Sequence, residues 1–335
     1  MKSLFETSIP QANTKKAEVN MPSAMEFIAI GLASQALCLL DASGVLKALK
    51  EKEIFYKRQI DNFNNSHLMK AAFLTLVETK VLLSDHEGYK LTRLGHDLVD
   101  HIGILTVPLL GYRKLFANQL QILKDPSSTS HKDIDFSALA LASNDFGLMD
   151  LDPLLLEIFI KLRPKGTICD LGCGSGEKLR KICKATGVPG LGIDQSEQVI
   201  KKSRNQTEHF PKIEMITGNI TKLENVWEDV ELALMCFVCH DIVSFEQCAQ
   251  VLKSLYVTFP RLRYLVLADI VSPSEKVPTI MPGFDYVHGL QGITTRNYEE
   301  TLEVFKLANF NVFNEFKVPN MPNTFIWILQ PLNNK

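Results

Sequence analysis

The sequence predicts an α/β protein. A helical N-terminal domain is closed by a small hairpin, and an open, mostly parallel sheet of seven strands with helices on both faces follows. Three observations carry this. After Thr167, short apolar runs alternate with amphipathic stretches, the pattern of strands and crossover helices. A glycine-rich turn follows the first of those runs. From Ser23 to about Gly103, apolar residues recur at helical spacing instead. A chain of 335 residues suits two domains at roughly 100–200 residues each.

Residues 1–22 are polar and read as an arm. SAMEFIAIGLASQALCLLDASGVLKALKE, from Ser23, predicts a long apolar helix, a break near Ser43-Gly44 and a shorter helix. The stretch from Met25 to Leu40 is the most membrane-like of the chain. Glu26, Ser34 and Gln35 interrupt it, and it is shorter than the ~20 residues a span needs, so it reads as a buried helix. HLMKAAFLTLVETKVLL, from His67, predicts another helix. Val81-Leu82-Leu83, a polar turn from Asp85 to Gly88, and Tyr89-Lys90-Leu91 predict a hairpin. Helices closed by such a hairpin are winged-helix-like. Without basic clustering on the third helix this domain reads as a dimerisation or lid module rather than a DNA binder. It is expected to span 23–125. A linker and connecting helix at 126–160 follow, opened by Pro126, Ser127, Ser128, Thr129 and Ser130. Arg113 and Lys114, in the helix before that linker, are placed to reach a substrate anion.

A second domain is expected over 161–335. Its strands are predicted at Thr167–Leu171, Gly190–Asp194, Ile213–Ile216, Glu231–Val238, Tyr264–Ile270, Asn311–Phe316 and Thr324–Leu329. The last two are joined by Val318-Pro319-Asn320-Met321-Pro322 and read as a terminal hairpin.

Charge narrows the partners. The chain carries 36 basic and 38 acidic residues, a net charge of −2. No basic stripe marks a nucleic-acid binder, and no membrane partner is expected. Seven cysteines, an odd number without framework spacing, and an N-terminus lacking an apolar signal core point to a reducing, cytoplasmic setting. Cys236-Phe237-Val238-Cys239 has C-x-x-C spacing, but extended geometry puts its thiols on opposite faces.

The strongest signal is Asp170-Leu171-Gly172-Cys173-Gly174-Ser175-Gly176-Glu177. Glycines there permit a tight turn and let a ligand lie against bare backbone at a helix N-terminus. Asp170 ends the strand before the loop, placed to orient it and to accept near a ligand ammonium. Asp194 ends the next strand, 24 residues later, where a carboxylate suits a ribose diol and argues against a 2′-phosphate. The dinucleotide spacing would need glycine at position 177, which is Glu. An anion at that helix start disfavours a pyrophosphate. It is tolerable beside S-adenosylmethionine, which carries a sulfonium and an ammonium and no phosphate.

In these residues the chain resembles the class I S-adenosylmethionine-dependent methyltransferases, over about residues 165–330. The resemblance implies a Rossmann-like seven-stranded sheet. It further implies that Asp170, Gly172, Gly174 and Gly176 line the methionyl part of the cofactor, Asp194 its ribose, and Gly218, Asn219 and Ile220 its adenine. Many members have Asp where Asn219 stands.

Beyond the fourth predicted strand comes Cys239-His240-Asp241, so His240 emerges beside the expected cofactor. Small-molecule O-methyltransferases share such a domain and a similar His-Asp motif, which would make His240 a general base. The alternative uses His288, in GFDYVHGLQGITTR. Two imidazoles on adjacent strand ends suit a transition metal, with iron, nickel, cobalt and zinc all acceptable, and positions left open for a chelating α-keto acid. The stretch from His240 through GFDYVHGLQGITTR to VPNMPNTFIW is similar to the α-keto acid C-methyltransferases, and within them to those acting on 5-guanidino-2-oxopentanoate. That resemblance implies His240 and His288 as metal ligands. It implies Asp241 as a supporting or proton-handling carboxylate, and an arginine on the substrate carboxylate. Arg113 is the candidate, with Lys132 or Arg296 as substitutes. Asp285 either meets a substrate guanidinium or caps a turn. The expected activity is C-methylation of an α-keto acid by a homodimer. O-methylation with His240 as base, and a non-catalytic cofactor-binding regulatory dimer, stand as alternatives.

Overall fold

The computed structural model describes residues 23–129, 131–145, 150–207, 210, 212–242, 244–274, 283–321 and 323–332. The arm expected at 1–22 lies outside them. The chain parts into two compact units between Gly111 and Tyr112, ahead of the boundary expected at 125.

The first unit holds helices α1 (Ala24–Ala42), α2 (Val45–Lys52), α3 (Ser66–Glu78), α4 (Arg93–Asp100) and α5 (Ile102–Thr106). Short strands β1 (Phe55–Tyr56), β2 (Leu82–Ser84) and β3 (Gly88–Leu91) form a small antiparallel sheet in the order β1-β3-β2. The expected hairpin is thus β2-β3, tightened by Asp85, whose Oδ1 accepts from the amides of Glu87 and Gly88 at 2.9 Å each. Phe73 of α3 anchors the core, stacked on Phe55 and Tyr89 at 5.4 and 4.2 Å. Burial of such a ring contributes ~1.5–3 kcal/mol.

Ser23 and Glu26 close a capping box at the start of α1. The expectation that α1 is a buried helix needs correction. Only Ala33, Leu37, Cys38 and Leu40 are buried, while Met25 and Phe27 are 73% and 72% exposed. The helix is apolar on every side, and α2, α3 and α5 reach only part of its circumference. By length and composition alone it is long and apolar enough to cross a bilayer.

The second unit opens with α6 (Arg113–Lys124), α7 (Phe136–Asp145) and α8 (Leu151–Leu162). Helix α6 belongs here because Phe116 packs edge-on to Tyr286, and Tyr286 donates to Gln119. Then come β4 (Thr167–Leu171), α9 (Glu177–Thr186), β5 (Gly190–Asp194), α10 (Glu197–Thr207), β6 (Ile213–Thr217), β7 (Val230–Cys236), α11 (Phe245–Thr258), β8 (Tyr264–Ile270), α12 (Phe284–Leu290), α13 (Tyr298–Leu307), β9 (Phe310–Lys317) and β10 (Thr324–Pro331). The sheet runs β6-β5-β4-β7-β8-β10-β9. The first five strands in that order are parallel, and β10 runs antiparallel to both β8 and β9.

Alternation of side chains across the sheet builds two cores. Ile168, Leu232, Leu234, Val266 and Ile326 face one. Cys169, Ala233, Met235, Leu265 and Trp327 face the other. Burial on both sides explains why these strands read as continuous apolar runs. The Trp327 indole is fully buried and donates to Glu315 Oε2 at 2.8 Å. Strand order reverses beside β4, with β5 on one side and β7 on the other, so the loops after β4 and β7 flank the crevice where such sheets bind ligands.

Candidate active site

The loop after β4 turns through three left-handed glycines, Gly172 (φ 77°), Gly174 (φ 51°) and Gly176 (φ 72°). A Cβ on Gly172 would stand 2.4 Å from Val238 Cγ2, so this glycine also lets the loop lie against the turn that carries His240. Asp194 ties the loop down. Its Oδ2 accepts from Gly174 N and its Oδ1 from Ser196 N, both at 2.9 Å. A carboxylate has about four acceptor sites, so two backbone bonds leave room for a diol. Gly218 N donates to Asp194 O at 2.9 Å. The Asn219 side chain caps its own turn by accepting from Thr221 N at 2.9 Å, and Ile220 begins that short helix. Asp170 is buried beneath the loop. Burial pushes its carboxyl up to about 7, against the pull of Lys178. This cradle of bare backbone with two carboxylates fits a cationic nucleoside cofactor.

Strand β7 ends at Cys236 and is followed by Phe237, whose φ of 55° is left-handed. Such a backbone costs an aromatic residue ~1–2 kcal/mol, and it turns the chain sharply into the single 3-10 turn Cys239–Asp241. Asp269, at the end of neighbouring β8, pins that turn. Its Oδ2 accepts from His240 N at 2.9 Å, and its Oδ1 pairs with His240 Nδ1. Arg296 completes the clamp, donating to the carbonyls of Cys239 and Ile242. Burial opposes charge on His240, but Asp269 and Asp241 outweigh it and raise its pKa to about 9.

His288 reaches the same place from α12. This corrects the expectation of two imidazoles on strand ends: His288 sits in the last turn of a short helix whose Phe284 and His288 lie one turn apart on its buried face. His288 Nδ1 bonds Phe284 O at 2.7 Å, while Nε2 is buried without a hydrogen-bond partner. Burial and the neighbouring His240 hold the His288 pKa down. The rings are 5.0 Å apart, and Asp241 Oδ1 lies 3.6 Å from His240 Nε2 and 3.8 Å from His288 Nε2. One ligand atom from each of His240, Asp241 and His288 falls within 4.8 Å of the others. An orphaned buried nitrogen costs ~1–3 kcal/mol. Its orientation toward a second imidazole and a carboxylate fits a metal centre. Each imidazole is oriented through its far nitrogen, His240 by a carboxylate and His288 by a carbonyl, as metal-ligating histidines are.

The structure brings His240, Asp241 and His288 together and leaves Arg113 aside. The Arg113 guanidinium lies 3.7 Å from Asp135 Oδ2, and its neighbours in a cleft of about 210 Å³ include Lys114, Lys132, Ser196 and Gln198. Arg296 is occupied by the His240 turn, which removes it as a substitute grip on substrate. Asp285 Oδ1 accepts from Ser272 Oγ at 3.2 Å and Thr295 Oγ1 at 2.6 Å. Sequence reasoning missed Asp269, although an Asp closing an apolar strand was the same signal that marked Asp170 and Asp194. It also missed Tyr112, a buried phenol whose pKa is raised by burial and by Asp241, with Gln291 as its hydrogen-bond partner. No local motif distinguishes that tyrosine.

The sequence model of a family described as a methyltransferase domain matches residues 162–306. The indolepyruvate C-methyltransferase of Streptomyces griseus is 31% identical over 308 residues, covering 89% of this chain and 92% of that protein. Among solved structures, human N-acetylserotonin methyltransferase, in complex with S-adenosylmethionine, superposes with a TM-score of 0.69 at 14% identity, over 93% of this chain and 99% of that one. The mitomycin 7-O-methyltransferase MmcR gives a TM-score of 0.65 at 13% identity, over 92% and 96%.

Proposed function

The chain belongs to the class I S-adenosylmethionine-dependent methyltransferases, and on that footing we propose that it methylates the β-carbon of an α-keto acid. The observation that carries this is the partnerless His288 Nε2, buried and facing His240 and Asp241. Bound by His240 and His288, iron, nickel, cobalt or zinc would supply Lewis acidity to a chelating 2-oxo carboxylate and so acidify its β-hydrogen. Asp269 holds His240 with Nε2 toward the pocket, and Phe284 O does the same for His288. Asp241 Oδ1, between the imidazoles, is the acceptor for the β-proton. The glycine loop with Asp170 and Asp194 holds the cofactor, and Gly218, Asn219 and Ile220 border its adenine.

Arg113 is kept as the proposed grip on the substrate carboxylate on its place in the sequence, although it lines the cleft beside Asp135 and would have to leave that partner. Its ion pair with Asp135 is long and exposed, worth under ~1 kcal/mol, so the guanidinium is released at little cost. For the substrate side chain, 5-guanidino-2-oxopentanoate is the candidate, with Asp285 as the carboxylate that would meet its guanidinium. Indolepyruvate, from the name of the similar Streptomyces protein, is the comparison substrate. A second copy of the chain is the proposed cover for the exposed face of α1, making a homodimer. Seven free thiols suit a cytoplasmic setting.

One observation favours O-methylation: the His240-Asp269 pair has the form of a general-base dyad. That reading, however, leaves His288 Nε2, buried and facing His240 and Asp241, without a purpose. The test is transfer of a labelled methyl group to a panel of keto acids and phenols, with and without chelator. Chelator-sensitive methylation of a keto acid at carbon is expected. Chelator-resistant methylation of a phenol would replace it with the general-base reading.

A further inference from the structure

The C-x-x-C of the sequence is not the thiol pair that the fold assembles. Cys239 Sγ lies 3.0 Å from the sulfur of Cys248, near the start of α11, and both residues are buried. A disulfide needs sulfurs ~2.0 Å apart, so these thiols are about 1 Å from bonding distance. Cys239 is also the residue before His240, and Arg296 and Asp269 hold the backbone around it.

We propose that Cys239 and Cys248 are an oxidisable dithiol, and that bridging them pulls the His240 turn out of alignment with His288. The oxidant is a peroxide. One thiol takes an oxygen as the O–O bond breaks, giving a sulfenic acid and one water. The second sulfur then attacks the first, the S–O bond breaks, the S–S bond forms and a second water leaves. Two thiols thereby lose two hydrogens and two electrons, and one hydrogen peroxide becomes two waters. A metal-binding constellation tolerates displacements of only ~0.5 Å. Drawing the sulfurs together strains a turn that Arg296 fixes by the carbonyls of Cys239 and Ile242. Peroxide reaches the buried pair through local opening, and a thiol reductant reverses the bond.

The bond does not depend on the metal reading; its effect on His240 does. The full-length protein is treated with a modest excess of hydrogen peroxide, quenched, denatured and alkylated with iodoacetamide. The expected result is two of the seven thiols protected, a peptide pair joining Cys239 to Cys248, and recovery with dithiothreitol. In Cys248→Ser no bridged peptide pair containing Cys239 should form. Full alkylation of the treated wild type, or a bridge joining Cys236 to Cys239, overturns the proposal. In parallel, bound cobalt(II) is titrated before and after oxidation. A tenfold or greater loss of affinity in the bridged wild type, absent in Cys248→Ser, supports the coupling. A bridged protein that keeps its cobalt affinity overturns the coupling and leaves the bond.

Discussion

Replacing His288 with leucine separates a metal ligand from an ordinary core histidine, because the two roles predict opposite signs. In the metal-free protein the substitution removes a buried nitrogen with no partner, worth ~1–3 kcal/mol in stability. It also removes the Nδ1 bond to Phe284 O, worth ~0.5–1.5 kcal/mol. Leucine fills much of the same space, so the chelator-treated variant should lie between unchanged and about 2 kcal/mol more stable. At ~2–4 °C per kcal/mol for a unit of this size, its melting temperature should rise by up to about 8 °C. With zinc or cobalt at a hundred times the dissociation constant, wild type should gain ~2.7 kcal/mol. A variant binding a hundredfold more weakly would gain only ~0.4 kcal/mol under those conditions. Both numbers come from thermal melts with and without metal. A variant destabilised by more than about 2 kcal/mol without metal, beside a wild type that no metal stabilises, would make His288 a structural residue.

Three further outcomes are expected. Burial holds the folded Asp170 pKa at about 7 against the 3.8 of a free aspartate, so the native state holds its proton more tightly and cofactor-free stability falls as pH rises from about 4 to about 7. Asp170→Asn should remove that slope, stabilising the cofactor-free protein by about 2–4 kcal/mol at pH 8 while weakening cofactor binding; urea melts across pH, with calorimetry of cofactor binding, read both. Asp269→Asn keeps the shape beside His240 but not the charge, and should lower metal affinity ~10–100-fold in competition with a chromophoric chelator; unchanged affinity would contradict the role given to that carboxylate. Arg113→Ala should alter stability by less than ~0.5 kcal/mol, since its partner is distant and exposed, and should cut keto-acid kcat/KM by ~10–150-fold through a lost charge-assisted bond. An unaffected kcat/KM would move the carboxylate grip elsewhere.

The parts of the fold legible in sequence were those that local physics dictates. Each strand buried on both faces shows as an apolar run, and the three left-handed turns after β4 admit little but glycine. Carboxylates at strand ends were visible for the same reason, although Asp269 was passed over. Residues whose environment comes from distant chain were not legible. Arg296 is a charged residue that looks available in sequence, yet its donors serve the carbonyls of Cys239 and Ile242, 57 and 54 positions away. Tyr112 gains its meaning only from Asp241 and Gln291. The sequence puts His288 after a strand end, whereas a short helix, α12, carries it. Cys239 meets Cys248 because the 3-10 turn after β7 and the start of α11 come together in three dimensions, and the nearer Cys236 distracts from it.

The most direct measurement is exchange of the β-hydrogens of a keto acid in deuterium oxide, followed by proton NMR with S-adenosylmethionine left out. Deuterium should enter the β-carbon well above the uncatalysed rate, stop when a chelator is added, and be lost in His288→Leu. Methyl transfer by a protein that leaves those hydrogens untouched would contradict acidification of the β-carbon by His240, Asp241 and His288.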